Sequence, residues 1–265
     1  MALVLIRGSG DVASAVALRL RQAGHRAVLH DDPRPNHFRR GMAFTDALFD
    51  GTGTLEGVRA KRARTVDDLV RMVACGHAIA VCDTDFAEVA AALEPDVLVD
   101  ARMRKHEAAP HLRGLAPLTI GLGPGFVAGG NVDLAVETAW GDTLGRVIRS
   151  GSALTHSGEP RALGGHGRGR YVHAPAAGTL RTTLAIGAFV HQGDEVARIG
   201  DTPLLAPLSG ILRGLTHDGA AVSAGAKVVE VDPRGDPTAA FGIGDRPARI
   251  AAGVLYAVGG VPAGH

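Results

Sequence analysis

Short apolar runs alternate with amphipathic segments along the first hundred residues. The run Leu3 to Ile6 is uninterrupted, which is typical of a strand buried on both faces. Apolar residues at helical spacing follow from Asp11 to Gly24, and then come "TVDDLVRMVACG", "AIAVC", "DFAEVAAAL" and "DVLVDA". Strands that alternate with helices predict a mostly parallel sheet covered by helices. Residues 32–63 interrupt the pattern, and "RRGMAFTDALFDG" within them predicts an insertion beside the sheet.

An internal repeat follows a Gly-rich stretch in the second half of the chain. "HAPAAGTL" (173–180) matches "LAPLSGIL" (205–212), and "IGAFVHQGDEVARI" (186–199) matches "DGAAVSAGAKVVEV" (218–231). Both pairs are offset by about 32 residues, as expected of two hairpin-like units that bury one shared core. The repeat resembles the biotinyl/lipoyl barrel-sandwich fold, but Lys227, the single Lys of the unit, lies away from the junction of the halves. We therefore expect neither biotin nor lipoate.

These patterns predict an α/β fold class. We expect a Rossmann-like, mostly parallel sheet domain at 1–156, a Gly-rich linker at 157–170 and a small all-β barrel-sandwich (lipoyl-like) domain at 171–234. Residues 235–265 then form a C-terminal helix, which could pack back on the first domain.

Composition narrows the function classes. The formal net charge is +1, 4% of the 265 residues are aromatic, and there are two cysteines. This argues against nucleic-acid binding and a disulfide framework, and no stretch suits a membrane helix. We expect a cytoplasmic protein that binds neither nucleic acid nor membrane, with homo-oligomerisation left open. The twelve histidines are scattered without a metal-binding motif, so no metal site is predicted, and no catalytic residue is identified.

The first candidate ligand loop is "GSGDVA" at residues 8–13, between a strand and a helix. Gly8 and Gly10 permit a tight turn, Ser9 lies between them, and the helix N–H groups face an anion. Asp31, about 20 residues further on, suits a ribose hydroxyl. Asp11 would instead repel a phosphate, so the alternative is that Asp11 caps the helix and the glycines serve packing alone.

Paired arginines follow the second strand. Arg39 and Arg40 could bind phosphate or carboxylate, or they could be two solvated surface charges.

A second Gly-rich loop lies in "IGLGPGF". It is made by Gly121, Gly123, Pro124, Gly125 and Phe126. Because loops at the carboxyl ends of parallel strands share one crevice, both loops could line it.

The whole chain, read in order, resembles one family. The motifs are "IRGSGDVASAVALRL", "RRGMAFTDALFDG", "DVLVDAR", "IGLGPGFVAGGNVDLAVETAWGDTLGRVI" and the repeat unit. They are similar to the selenium-dependent molybdenum hydroxylase system proteins (YqeB-like accessory proteins). The residues Trp140, Gly141 and Asp142 stand where that family often has Gly-His, so no histidine role is carried over.

The resemblance implies an accessory role in maturing molybdenum-dependent, xanthine dehydrogenase-like hydroxylases. The cofactor it implies is molybdenum cofactor or another pterin or nucleotide, held in the crevice with Arg39 or Arg40 neutralising its phosphate. Asp133, Glu137, Thr138 and Asp142 would then hydrogen-bond the pterin-like ring. The expected partners are a molybdenum hydroxylase client and the small phosphate-bearing ligand.

Two other functions stay open. One is an NAD(P)-dependent oxidoreductase that uses the loop at residues 8–13. The other is a non-catalytic assembly module that docks through its lipoyl-like domain. Whether the chain is an enzyme is not decided by the sequence.

Overall fold

A computed structural model describes residues 1–104, 108–155 and 162–259 of the chain. Within these ranges one large sheet has nine strands in the order β10-β9-β7-β6-β1-β2-β5-β4-β3. The strands are β1 (Leu3–Arg7), β2 (Arg26–His30), β3 (Thr52–Leu55), β4 (Val58–Arg62), β5 (Ile79–Cys82), β6 (Val97–Asp100), β7 (Leu118–Leu122), β9 (Leu134–Val136) and β10 (Val147–Ile148). A separate two-stranded pair joins β8 (Val127–Ala128) to β11 (Gly151–Ser152).

Helices cover both faces of the large sheet. The helices are α1 (Asp11–Gln22), α2 (Ala47–Asp50), α3 (Val66–Cys75), α4 (Phe86–Leu93) and α5 (Asp245–Val258). Successive side chains of β1 point to opposite faces, so Val4 and Ile6 enter one core with α1 and α5, whereas Leu5 enters the other with α3 and α4. None of the helices in the described ranges is long and apolar enough to cross a membrane.

The predicted fold class is corrected by the connectivity of this sheet. The inner strands are parallel, but both edges are antiparallel, with β10 on β9 and β3 on β4, so the sheet is mixed. In the described residues, no helix lies between β6 and β7 or between β7 and β9. The helix-alternating, Rossmann-like arrangement that the sequence predicted therefore does not continue past β6.

The sequence prediction also missed two strands at one edge. Residues 52–62, expected as part of an insertion beside the sheet, form the hairpin β3–β4 that extends it. Their apolar alternation is weak because this hairpin is an edge, exposed on much of its surface.

Residues 171–232 form two four-stranded antiparallel sheets around one core. The strands are β12 (Tyr171–His173), β13 (Gly178–Arg181), β14 (Phe189–Val190), β15 (Glu195–Ile199), β16 (Thr202–Leu205), β17 (Gly210–Leu215), β18 (Ala221–Val222) and β19 (Lys227–Asp232). Their orders are β12-β19-β17-β14 and β16-β15-β13-β18. Both sheets contribute to a single cluster of buried residues that includes Leu180, Val196, Leu212 and Val229. We call this unit the small β domain. Of the predicted linker 157–170, residues 157–161 lie outside the described residues, and the remainder ends in a 3-10 turn, Arg168–Arg170.

A bridging segment, residues 33–42, connects the small β domain to the large sheet. The N–H of Leu215 donates to the carbonyl of Phe38 at 2.7 Å, and Arg40 donates to the carbonyl of Leu215 at 2.8 Å. Gly214 has no side chain because a Cβ there would overlap the Phe38 ring. The segment is thus held by backbone contacts on β17.

Helix α5 packs closely against the first part of the chain. Ile250 and Val254 are fully buried in the core that α1 lines. A Cβ at Gly253 would overlap the carbonyl oxygen of Gly145, which precedes β10. This close approach requires glycine at position 253.

We expect Gly253→Ala to lower the free energy of unfolding by about 1–3 kcal/mol through overpacking. The direction is informative because Gly→Ala inside a helix normally stabilises by about 1 kcal/mol. Gly259→Ala is the matched control, since a Cβ there meets its nearest atom at an ordinary 3.5 Å. Chemical denaturation followed by circular dichroism measures both, and equal stability of the two variants would contradict the packing described.

Candidate functional site

The carboxyl ends of four parallel strands bring many of the candidate residues together. We call this end of the strands the carboxyl edge of the sheet, as distinct from its outermost strands. The register pairs Arg7 with His30 on one side and with Asp100 on the other, and pairs Asp100 with Gly121. Loops that follow β1, β2, β6 and β7 therefore meet at this edge, as is general for ligand crevices in such sheets.

The loop of residues 8–11 is a packed turn. Gly8 has a φ of +112°, and a Cβ there would lie 3.1 Å from the carbonyl carbon of Ala101. At Gly10 a Cβ would lie 2.9 Å from Nδ1 of His37. The space over the N-terminus of α1, where a dinucleotide pyrophosphate would sit, is thus covered by His37 of the bridging segment. The sequence analysis had weighed this packing role as the alternative.

Asp31 is buried and is fully engaged within the chain. Its Oδ2 accepts from the N–H and the hydroxyl of Ser9, both at 2.7 Å, and contacts Nε2 of His37 at 2.9 Å, while its Oδ1 accepts from the N–H of Asp32. Burial alone would raise the pKa of Asp31, but the hydrogen bonds and the charge of His37 lower it to about 2. A ribose hydroxyl would have to displace these partners.

His37 is the counterpart of this carboxylate. Burial acts to lower the pKa of His37, but the hydrogen bond and charge of Asp31, together with the charges of Asp11 and Asp32, raise it above the ordinary value. The raised pKa favours the protonated imidazolium form of His37, which carries a positive charge near Asp11 and Asp31.

The paired arginines are both committed to partners inside the chain. Nε of Arg39 donates to Glu230 at 2.7 Å and its Nη1 donates to Asp11 at 3.2 Å. Arg40 donates to the carbonyl of Leu215, as given above, and to Asp46 at 2.9 Å. These partners explain the arginine pair without a bound phosphate.

The second Gly-rich loop, residues 121–126, lies at the same edge as residues 8–11. A Cβ at Gly121 would overlap the ring of Phe126, and at Gly123, where φ is +89°, it would lie 2.6 Å from the Thr138 hydroxyl. Gly125 also has a φ of +89° and approaches Ala109. The glycines allow this loop to fold tightly on its own neighbours.

Three other predicted residues lie on the segment that follows β9. Thr138 approaches Gly123, and Asp142 lies four residues further on at an exposed turn. Glu137 is buried, and its carboxylate already accepts the N–H groups of Thr138, Ala139 and Leu154.

Asp133 lies at the amino ends of the parallel strands, just before β9. Its carboxylate accepts from the N–H and the hydroxyl of Thr119, at the beginning of β7, and from Arg113. Burial acts to raise the pKa of Asp133, but the Thr119 and Arg113 bonds lower it below its ordinary value. Asp133 is therefore held near the amino end of β7, whereas residues 123–126 follow the carboxyl end of that strand.

Sequence reasoning missed the arginines of this edge. Arg7 ends β1, while Arg102 and Arg104 follow β6. The sequence did contain a signal for them, because the arginines stand at or after the end of the apolar runs in "LVLIRG" and "VLVDARMR". Nothing in the sequence showed that these two strands are neighbours.

The three arginines form a cluster around two carboxylates. Asp100 is 3% exposed and is held by Nη2 of Arg102 at 2.5 Å, while Nη1 of Arg7 is 3.8 Å away. Arg104 pairs with Asp32. We call Arg7, Arg102, Arg104, Asp32 and Asp100 the edge cluster, and its formal charge is one positive unit in excess.

Arg7 is the residue of the edge cluster that has a hydrogen-bond donor without an acceptor in the described residues. Its guanidinium lies 4.2 Å above the ring of Phe86, and its buried Nε has no hydrogen-bond partner within the described part of the chain. Burial lowers the pKa of Arg7, as do the charges of Arg102 and Arg104, against the opposite effect of Asp100 and Asp32. A buried donor without an acceptor is costly, and Nε of Arg7 is such a donor among the described residues.

A small pocket adjoins the edge cluster. It has a volume of about 30 Å³ and is lined in part by Asp100, Arg102, Pro124 and Phe126. It thus lies between two arginines of the edge cluster, Arg102 and Arg104, and the Gly-rich loop at 121–126. Over the ranges that the structure describes, no group of three or more His, Cys, Asp or Glu residues could hold a metal ion.

Fold and site together define a protein with a large mixed sheet covered by helices, an arginine-rich site at the carboxyl ends of its parallel strands, and a small β domain. No family model matches the chain. It is 40% identical over 256 residues to a protein of Escherichia coli strain K12 called uncharacterized protein YqeB, a match that covers 97% of this chain and 47% of that protein. The chain therefore spans about half the length of this curated relative.

Two solved structures share a weak likeness to the chain. A succinylglutamate desuccinylase/aspartoacylase from Rhodobacter sphaeroides is 21% identical, with 54% of this chain and 60% of that chain covered and a TM-score of 0.24. A succinylglutamate desuccinylase from Silicibacter is 13% identical, with 87% and 84% covered and a TM-score of 0.25. At these scores we draw no conclusion about fold or activity from either likeness.

We expect the stabilising effect of His37 to depend on pH in a bell-shaped way. The pKa of Asp31 is depressed to about 2 in the folded chain, so its contribution is full above about pH 4 and is lost as the pH falls toward 2. The pKa of His37 is raised, so its contribution is full below about pH 6.5 and is lost as the pH rises through the raised value.

His37→Ala should therefore lower the free energy of unfolding most near pH 5, by about 1.5–3 kcal/mol for a charge-assisted hydrogen bond. The difference from wild type should shrink at pH 3 and again at alkaline pH. Urea denaturation at each pH measures it, with His77→Ala at an exposed position as the control. A difference that does not vary with pH would show that the ion pair is not what His37 contributes.

Proposed function

We propose that the chain is an accessory factor that binds a phosphate-bearing cofactor at the edge cluster and serves the maturation of molybdenum-dependent hydroxylases. The observation that carries the binding part is the buried Nε of Arg7, which has no partner in the described residues, within a cluster of three guanidinium groups and two carboxylates.

Guanidinium groups suit phosphate for a geometric reason. Their N–H donors lie in one plane and match two oxygens of a phosphate at once, and they stay charged at any physiological pH. Phe86 and Asp100 hold Arg7 from two sides, so little side-chain freedom would be lost on binding. The site is thus organised before the ligand arrives, which favours affinity.

The pocket limits which part of a cofactor could enter. Its volume of about 30 Å³ is about that of one water molecule, so a ring system would stay outside it. A phosphate of molybdenum cofactor, or of another pterin or nucleotide, would bind at its mouth, where Arg102 and Arg104 supply the donors. When bound, the cofactor itself would supply the redox chemistry for the client hydroxylase, and the residues of the edge cluster would bind and orient its phosphate.

The edge cluster is suited to binding rather than to proton transfer. Arginine donates hydrogen bonds and does not exchange protons near neutral pH, and Asp100 is tied to Arg102 by more than one hydrogen bond. A handling role needs only that the cofactor is held and released. The hydroxylase connection rests on the ordered motifs that resemble the accessory family.

The competing oxidoreductase is not favoured by the contacts at residues 8–11. His37 covers Gly10, and Asp31 is bound by Ser9 and His37. NAD(P) would therefore have to open the bridging segment before its pyrophosphate and ribose could reach their usual places.

We expect Arg7→Gln to weaken the binding of inorganic pyrophosphate by about 10-fold or more, because one charge-assisted hydrogen bond contributes about 1.5–3 kcal/mol. Isothermal titration calorimetry on the full chain measures the affinity. Arg71→Gln is the matched control, since Arg71 is 69% exposed on α3 and pairs with Asp68. Equal affinity in the two variants would refute the assignment of the site.

Native mass spectrometry of protein purified without air then tests the cofactor class. A released pterin or molybdopterin nucleotide would support the proposed function. A released NAD(P) would contradict it and favour the oxidoreductase.

A further inference from the structure

A second group of basic side chains lies between the large sheet and the small β domain. It consists of Arg39, Arg170, Arg213, Lys227 and Arg246, with Asp11, Tyr171 and Glu230 among them. We call these eight residues the interface cluster. It lies on the α1 and α5 side of the loop at residues 8–11, whereas the edge cluster contacts Phe86 of α4.

Glu230 is the centre of the interface cluster and is saturated. It is fully buried on β19 and accepts from Nε of Arg39 at 2.7 Å, from Nε of Arg170 at 3.1 Å and from Nη1 of Arg213 at 3.1 Å. Burial acts to raise the pKa of Glu230, but the charges and hydrogen bonds of these arginines lower it to about 2. One carboxylate thus faces three guanidinium groups.

Asp11, the second carboxylate of the interface cluster, does not neutralise the positive charge that Glu230 leaves. Asp11 accepts from Arg39 at 3.2 Å, and that arginine is already shared with Glu230. Lys227 places its Nζ 4.0 Å above the ring of Tyr171, and within the described ranges no carboxylate lies within 4.0 Å of that nitrogen. With Glu137, whose charge also acts on Arg246, five cationic groups face three carboxylates, an excess of two positive charges.

Arg246 approaches the interface cluster from the first turn of α5. Its Nε donates to the carbonyl of Thr138 at 2.8 Å. Burial lowers the pKa of Arg246, the charges of Asp11 and Glu137 act against this, and the charge of Arg39 adds to it. Burial also lowers the pKa of Lys227, in the same direction as the charge of Arg39. Both cations are thus placed where a nearby anion would stabilise them.

The hydroxyl of Tyr171 supplies a neutral donor in the same place. Its oxygen accepts from Nη2 of Arg39 at 3.4 Å and from Nη2 of Arg170 at 2.5 Å. Because that oxygen accepts from two cations, the hydroxyl still has its own proton to donate. It lies beside Arg39 of the bridging segment and beside Arg170, and Lys227 lies over the same ring.

We propose that the interface cluster binds a phosphate-type oxyanion between the two domains, with Lys227, Arg246 and the Tyr171 hydroxyl as its donors. This site is separate from the edge cluster and does not depend on the function proposed above. The anion would offset part of the positive excess, and because its donors lie on β12, β19 and α5, it would hold the small β domain on the large sheet.

Calorimetric titration of the full chain with inorganic pyrophosphate tests this inference. We expect two binding events per chain in the wild type. Lys227→Met keeps an unbranched stem over Tyr171 and removes the charge, and Arg246→Gln removes the other cation. Each should weaken one of the two events by at least 10-fold and leave the other unchanged. Arg198→Gln, at an exposed residue paired with Glu195, is the matched control for a lost surface charge.

The two sites fail in distinguishable ways. Arg7→Gln should weaken only the event that Lys227→Met and Arg246→Gln leave intact. A single event, weakened by Arg7→Gln and indifferent to Lys227 and Arg246, would overturn this inference and keep the proposed function. Neither Lys227 nor Arg246 binds Glu230, so both variants should fold, and circular dichroism checks this. Should one fail to fold, the stoichiometry of the wild type still decides between one site and two.

Discussion

Arg39 is the contact on which the arrangement of the two domains depends. It reaches Asp11 at the start of α1 and Glu230 in the centre of β19. Without Arg39, the buried Glu230 would keep Arg170 and Arg213 as partners, but its ion pair with the bridging segment would be lost. Because Arg39 belongs to the bridging segment, the same contact fixes His37 over Gly10. The shape of the crevice therefore follows from an ion pair between domains.

The two basic clusters arise from the same topological cause. Parallel strands place their following loops at one edge, and the bridging segment brings the small β domain to that edge. The neighbouring strands β1 and β6 bring Arg7 and Arg102 close together. Docking of the small β domain brings Lys227 close to Arg39. The chain is nearly neutral overall, with a formal charge of +1, so these local excesses come from how the charges are placed.

The glycines show how far local reasoning reaches. The sequence predicted a tight turn at Gly8 and Gly10 and a second at residues 121–126, and both are tight turns. It also offered two explanations for the first, ligand approach or packing, and the Cβ positions at Gly8 and Gly10 favour packing. A glycine pattern indicates that other atoms approach the backbone closely, but it does not indicate whether those atoms belong to a ligand or to the protein itself.

The sequence by itself determined β1, β2, β5, β6 and the helices α1, α3 and α4 between them, the internal repeat and the C-terminal helix, because hydrophobic periodicity and turn residues are local signals. It did not determine the hairpin β3–β4, whose alternation is weak. Tertiary structure decided the mixed sheet, the place of Asp133 at the amino ends of the parallel strands, the pairing of Arg39 with Glu230 and the meeting of Arg7 with Asp100. Each of these joins residues far apart in the chain, Arg39 and Glu230 by 191 positions. Such contacts depend on strand order and domain docking, and neither leaves a trace in the spacing of the residues that meet.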